Sequence, residues 1–260
     1  LNTRNTSRAG RYSLPGDPDC PHCGGIGYLR FDVPIDHPDF GQVRICVCRE
    51  DEVSQYARRR LYAVSQLDEL RHLTFDNFEP QGHVGLGPAH ADSIERALSQ
   101  SIQFAKNLTG WLVLMGNYGT GKTHLAAAIA NFAVGQGVET IFITVPDLLD
   151  ALRYTYQDAG PSFEERFEEL RRAELLVLDD FGTQNATSWA QEKLFQIINY
   201  RYINRLPLIV TTNLPLREIE GRIRSRLQDP EVVTRITINA PDYRRPMDDS
   251  GQHELSTLHL

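Results

Sequence analysis

The stretch Gly116-Asn117-Tyr118-Gly119-Thr120-Gly121-Lys122-Thr123 has the residue types, at the required spacing, of a loop that cradles phosphates. Its glycines let backbone N–H groups approach phosphate oxygens with no Cβ in the way, and a helix after the loop adds a dipole that favours anions. Lys122 is expected to reach the β- and γ-phosphates of a nucleotide, and the Thr123 hydroxyl to hold Mg2+. A second element, Glu174 to Asp180, is an apolar run ending in two acids, at the strand end where α/β sheets place ligand-binding groups. Asp179 is expected to support Mg2+ through the metal's water shell, and Asp180 to polarise the attacking water. A third, Leu208 to Asn213, is a strand ending in polar residues, and the Asn213 amide is suited to orienting that water by hydrogen bonding.

Arginines at 222, 224 and 226 alternate in Gly221 to Leu227. They read as a solvated helix face or as an arginine finger, a guanidinium that one subunit offers to its neighbour's γ-phosphate to offset charge in the transition state. Arg226 is the first candidate for that finger and Arg222 the second. Arg244, beyond the last strand, is placed to contact the same nucleotide in cis. The four cysteines form two pairs, Cys20 with Cys23 and Cys46 with Cys48. Two thiolates separated by two residues and followed by glycines suit a tight loop whose N–H groups point at sulfur. All four cysteines around a tetrahedral zinc ion is the favoured reading, with His22 and His37 as substitute ligands. Without such a staple, so small a region would struggle to fold.

These groups need elements to position them. From Trp111 onward strands and helices alternate, with strands expected at Trp111–Met115, Thr140–Thr144, Leu175–Leu178, Pro207–Thr211 and Val232–Ile238. Helices are expected near Thr123–Val134, Asp147–Tyr156, Phe163–Arg172 and Trp189–Tyr202. Apolar strands alternating with helices predict a parallel sheet covered on both faces. Upstream, Tyr28–Val33 and Gln42–Ile45 read as a hairpin between the cysteine pairs. Glu50 to Leu73 reads as a helix or helix pair, followed by a polar loop, Gln81 to Pro88, and a helix over Asp92–Asn107. The expected domains are 1–75 with the cysteines, 76–246 with the phosphate loop, and a tail, 247–260.

At 260 residues and 41% apolar composition, the chain can bury a sizeable core. A net charge of −7 argues against a protein that coats nucleic acid indiscriminately. No stretch is long and apolar enough for a membrane span. The opening residues lack a hydrophobic signal region, which predicts a cytoplasmic rather than secreted chain, and a leucine at position 1 predicts that the native start lies upstream. Cysteine usage then points to metal rather than disulfides.

Taken together and in order, GNYGTGKT, LLVLDD, TTN, GRIRSRL and DYRR resemble the AAA+ ATPases of the bacterial initiator and helicase-loader clade. The likeness runs from about Leu73 to Arg245 and is greatest to the DnaC/DnaI-type replicative helicase loaders and the related IstB transposition helpers. Thr74-Phe75-Asp76-Asn77-Phe78 also resembles the segment leading into the loaders' ATPase core. The resemblance implies a five-stranded parallel sheet in the order 5-1-4-3-2, ATP as ligand, self-association through the ATP site, and contact with single-stranded DNA and a hexameric replicative helicase. Asp180 stands where most AAA+ proteins carry Glu, which implies slow turnover and keeps open a nucleotide-gated adaptor with negligible hydrolysis. A cysteine-bearing N-terminal domain resembles the DnaI-type loaders and favours them over transposition helpers. For DNA contact, Leu152-Arg153-Tyr154-Thr155-Tyr156 combines a cation with two aromatics, a stacking surface for unpaired bases, although packing on the sheet accounts for the tyrosines equally well.

Overall fold

A computed structural model describes residues 16–81, 86–154, 163–182 and 188–244, without the side chains of 54–58, 152–154 and 163. Thr155, Tyr156 and Arg245 therefore lie outside the described residues, as do the side chains of Arg58 and Leu152–Tyr154, so the stretch expected to meet DNA has no described side chain. The described residues divide into two compact units at Arg59/Arg60.

The first unit holds a short antiparallel pair, β1 (Tyr28–Arg30) and β2 (Val43–Ile45), in the register Tyr28↔Ile45 and Arg30↔Val43. Helix α1 (Val47–Ser65) begins directly after it and crosses the division into the second unit. It is shorter than the helical pattern suggested. Ser65 Oγ donates to the Tyr62 carbonyl and accepts from the Leu67 N–H, and Gln66 adopts a left-handed φ of 59°. This local bonding competes with helix continuation, so only one 3-10 turn, Asp68–Leu70, follows.

In the second unit the elements run α2 (Pro88–Asn107), β3 (Trp111–Gly116), α3 (Lys122–Gly135), β4 (Thr140–Thr144), α4 (Val145–Tyr154), α5 (Phe163–Arg172), β5 (Leu175–Asp179), α6 (Ser188–Ile203), β6 (Leu208–Thr212), α7 (Gly221–Leu227) and β7 (Val233–Ile238). Helix α2 starts at Pro88, earlier than its apolar pattern suggested, because proline has no N–H to leave unpaired in a first turn. The five core strands are all parallel, in the order β4-β5-β6-β3-β7. Counted from β3 as the first core strand and read from the β7 edge, this is the expected 5-1-4-3-2.

Period-two alternation sends the strand residues into two cores. Trp111 and Val113 of β3 face the side covered by α4, α5, α6 and α7, with Leu148, Leu170, Ile197 and Leu227. Leu112 and Leu114 face α2 and α3, meeting Phe104, Leu125 and Ile129. Residues 175–178 of β5 are fully buried, each such side chain contributing about 1.5–3 kcal/mol relative to exposure. The core thus anchors the carboxyl ends of β3, β5 and β6, from which the phosphate loop, the paired acids and Asn213 emerge.

Candidate functional site

The loop between β3 and α3 is shaped for close approach. Gly119 has a φ of +69°, and a Cβ there would lie 1.6 Å from Asp242 Oδ1; Gly121, at +92°, would bring one within 2.9 Å of the Phe78 ring. Tyr243 N–H donates to the Gly119 carbonyl at 3.0 Å. The segment after β7 and the segment before α2 thus both pack against the phosphate loop. Lys122 Nζ donates to the carbonyls of Gly116 (2.9 Å) and Asn117 (2.6 Å). Burial lowers the Lys122 pKa, against the pull of Asp179 and Asp180, while the charge of Arg244 adds to the lowering.

At the end of β5 the Thr123 hydroxyl donates to Asp179, 3.1 Å from each carboxylate oxygen. Thr211 Oγ1 on β6 donates to Asp179 Oδ1 at 2.6 Å. Burial raises the Asp179 pKa, opposed by the Thr211 and Thr123 hydrogen bonds. A hydroxyl and a carboxylate are the hard oxygen donors that suit Mg2+, so the pair fits that ion. Asp180 turns off the strand in a left-handed conformation, φ 56°. Asn213 places a buried side-chain oxygen, without a protein partner, among the same lining residues.

These groups line one cavity of about 690 Å³. Its walls include Tyr118 to Thr123, Asp179, Asp180, Asn213 and Arg244, together with Thr144 and Thr211. Leu73, Phe78, Leu86, Ile94, Ala240 and Pro241 add apolar surface to the same cavity. Gly116 and Asn117 contribute the carbonyls that hold Lys122.

Several contributors went unassigned in the sequence. Thr211 on β6 stands two residues before Asn213, which follows the strand's last residue, so the alternation of side chains was the available signal. Asn77, Phe78 and His124 come together only through folding. His124 Nε2 meets the Thr74 carbonyl (2.9 Å) and Asn77 Oδ1 (3.1 Å), both acceptors, so Nε2 carries the proton. Its ring stands edge-on to Phe78 at 5.1 Å.

Neither finger candidate lines the cavity of its own chain. Arg226 Nε and its terminal nitrogen Nη2 both donate to Asn199 Oδ1 (2.9 and 2.6 Å), and Nη1 donates to the Arg222 carbonyl at 2.8 Å. The guanidinium lies over the Phe195 ring at 4.8 Å. Arg222 is paired with Glu192 (3.2 Å) and Glu220 (3.0 Å), so it is the more committed of the two within its own chain.

In the first unit Cys20 Sγ and Cys46 Sγ are 3.6 Å apart, Cys23 Sγ and Cys48 Sγ 3.5 Å, and all four lie within 4.8 Å of one another. Sulfurs on a tetrahedron about zinc, at about 2.3 Å, stand roughly 3.8 Å apart. The Gly27 N–H donates to Cys23 Sγ at 3.2 Å, the N–H-to-sulfur contact expected of the knuckle. Burial raises the Cys23 thiol, but the Gly27 N–H and the neighbouring thiols outweigh it and bring it to about 7. Cys48 ends at about 12; the Asp17 backbone lowers it, but burial and the Cys23, Cys20 and Cys46 thiols push it up more. Four thiols so close ionise together only around a cation. His37 turns instead to Asp39, 3.6 Å away.

Comparison with known proteins places this geometry. Residues 46–237 match the family model described as IstB-like ATP binding protein. Over 136 residues the chain is 32% identical to the replicative helicase loader DnaC of Escherichia coli (strain K12), covering 51% of this chain and 56% of that one. The chain thus spans little more than half the length of that relative. A crystal structure of the DnaC helicase loader superposes with a TM-score of 0.54 at 23% identity, over 70% of this chain and 99% of that one. A replication initiator DnaA bound to AMPPCP and single-stranded DNA superposes with a TM-score of 0.53 at 22% identity, over 63% of this chain and 49% of that one. Among the described residues no helix is long and apolar enough to cross a membrane. With its phosphate loop, paired acids and AAA+ sheet order, the chain belongs to the IstB-like ATP binding protein family and shares the fold of the DnaC-type helicase loaders.

Proposed function

We propose that this protein is an ATP-dependent loader of a hexameric replicative DNA helicase, with slow hydrolysis completed between neighbouring copies. The observation that carries this reading is one cavity lined by a phosphate loop, two acids, the Asn213 amide and a set of apolar side chains. The DnaC relative supports the choice of partner.

The chemistry follows from the side chains present. ATP phosphates exchange places with the Gly116 and Asn117 carbonyls as partners of Lys122, whose charge they stabilise. The Thr123 hydroxyl would hold Mg2+ and Asp179 would support it through the metal's water shell, and the ion would supply charge neutralisation at the phosphates. Asp180 and Asn213 orient the water that attacks the γ-phosphate, and Arg244 approaches the nucleotide in cis. Arg226 is pre-set by Asn199 and Phe195 for a neighbouring copy's γ-phosphate, with Arg222 second. In the first unit the four cysteines hold zinc. The hairpin face bearing Tyr28, Val43 and Ile45 is exposed, an apolar patch of the kind that docks a protein partner, here the helicase. Single-stranded DNA is the expected nucleic-acid ligand.

Lys122→Ala is expected to abolish nucleotide binding. Arg226→Ala should retain binding and lose the assembly-dependent part of hydrolysis; normal hydrolysis by that variant would remove Arg226 from its role. The family match favours a second reading, an IstB-like transposition helper acting on duplex DNA. Capture of a purified replicative helicase by the full chain, lost in Cys20→Ser, supports the loader; filament formation on duplex DNA without helicase capture supports the helper. A phosphate-release assay with and without single-stranded DNA separates both from an adaptor that binds ATP without turning it over.

A further inference from the structure

We infer that Thr211 is a positioning residue, one hydroxyl that sets both acids of the nucleotide site: the Asp179 carboxylate for Mg2+ and the Asp180 backbone for its turn. The inference rests on the nucleotide-site reading above and adds a residue to it. Thr211 is 1% exposed and lies on β6. A hydroxyl has one proton, and this one goes to Asp179 Oδ1 at 2.6 Å; the oxygen then accepts the Asp180 N–H at 2.9 Å. The Thr211 carbonyl accepts the Phe181 N–H at 2.8 Å.

The β5–β6 ladder pairs Leu178 with Val210, so Thr211 stands just past its last rung, where β5 turns away. There the side chain and backbone of one residue replace the missing ladder. Thr123 approaches the same carboxylate. Asp179 is thus held by two hydroxyls from two elements, α3 and β6, which fixes its rotation before any ion arrives. Strand packing alone does not call for the hydroxyl. Val210 precedes Thr211 on the strand, and valine has threonine's shape and an equal or better fit to a buried strand. The oxygen is needed for the acids it touches, in the manner of partners that orient metal-binding carboxylates in other sites.

The test is fluorescent mant-ATP binding to the full chain, titrated with Mg2+ and repeated in EDTA, for wild type, Thr211→Val and Thr211→Ser. Thr211→Val should raise the Mg2+ concentration for half-saturation by about 10- to 100-fold, the range seen on loss of such an orienting partner. The EDTA series gives each variant's own metal-free affinity, against which its Mg2+ dependence is read. Thr211→Ser keeps the hydroxyl and should return Mg2+ dependence to the wild-type range, a rescue that a purely packing role would not produce. Should Thr211→Val fail to fold, Thr211→Ala also lacks the hydroxyl and carries the same expectation. A hydroxyl-free variant with wild-type Mg2+ dependence, or a serine variant as impaired as valine, overturns the inference alone. A wild type that binds no mant-ATP overturns the nucleotide-site reading, and the inference with it.

Discussion

Asp179 shows how one side chain trades stability for function. Burial is the largest influence on its carboxyl and raises the pKa above 3.8; Asp180 adds to the rise, while Thr211, Thr123 and Lys122 oppose it. A carboxyl with a higher pKa folded than unfolded supports the fold fully below the unfolded value, and that support is lost as pH rises through the folded value. The charged form of Asp179 is therefore the one that burial disfavours in the nucleotide-free protein. Asp179→Asn keeps the shape and an acceptor, and should raise Tm in EDTA by about 2–4 °C, the shift that 1 kcal/mol makes in a domain of this size. The gain should shrink as pH falls toward the carboxyl's own range, and Mg2+-dependent nucleotide binding should be lost. Calorimetry across pH checks both; a variant no more stable than wild type at neutral pH would contradict the stated balance.

Among the elements, the segment from Leu67 to Glu79 acts as a strap that ends in the nucleotide cavity. The Asn131 amide on α3 donates to the Leu70 and Leu73 carbonyls, both at 2.9 Å. His124, about two turns earlier on the same face of α3, holds Thr74 and Asn77. Asn77 in turn accepts the Thr74 N–H at 2.9 Å, so the strap's turn is closed on itself before it meets the loop. Removing both Asn131 bonds should free the strap by about 1–2 kcal/mol. Amide exchange across Leu70 to Phe78 in Asn131→Ala should therefore quicken by roughly 5- to 30-fold, with the β-sheet amides unaffected. Uniform quickening over the whole unit would instead mean that Asn131 supports the global fold.

For the whole molecule, the division at Arg59/Arg60 separates a unit in which four cysteines lie close together from one held by a two-sided apolar core. The first unit's buried apolar cluster is its own cysteines with Leu29 packed against them, too little to carry folding alone. The protein as purified is expected to hold about one zinc per chain. A zinc chelator should abolish exchange protection at the Gly27 and Cys46 amides while leaving β3 to β7 protected. Metal analysis and exchange on the same sample check this; a zinc-free protein with both amides still protected would remove the metal from the account.

The local geometry of the phosphate loop was legible in the chain itself. The phosphate loop occupies consecutive residues, and the glycines, Lys122 and Thr123 carry their geometry with them. Runs such as 175–178, alternating with helical segments, suit strands buried on both faces of a helix-covered parallel sheet; the sheet order came from family resemblance. The fold decided the rest, since each remaining link joins residues far apart in sequence. Thr211 and Asp179 are 32 residues apart, His124 and Asn77 47, Arg226 and Asn199 27. Gly119 is hemmed in by Asp242 from beyond the last strand. A hydroxyl, an amide or an imidazole is ordinary in a sequence, and acquires a role only when packing removes water and leaves it a single partner.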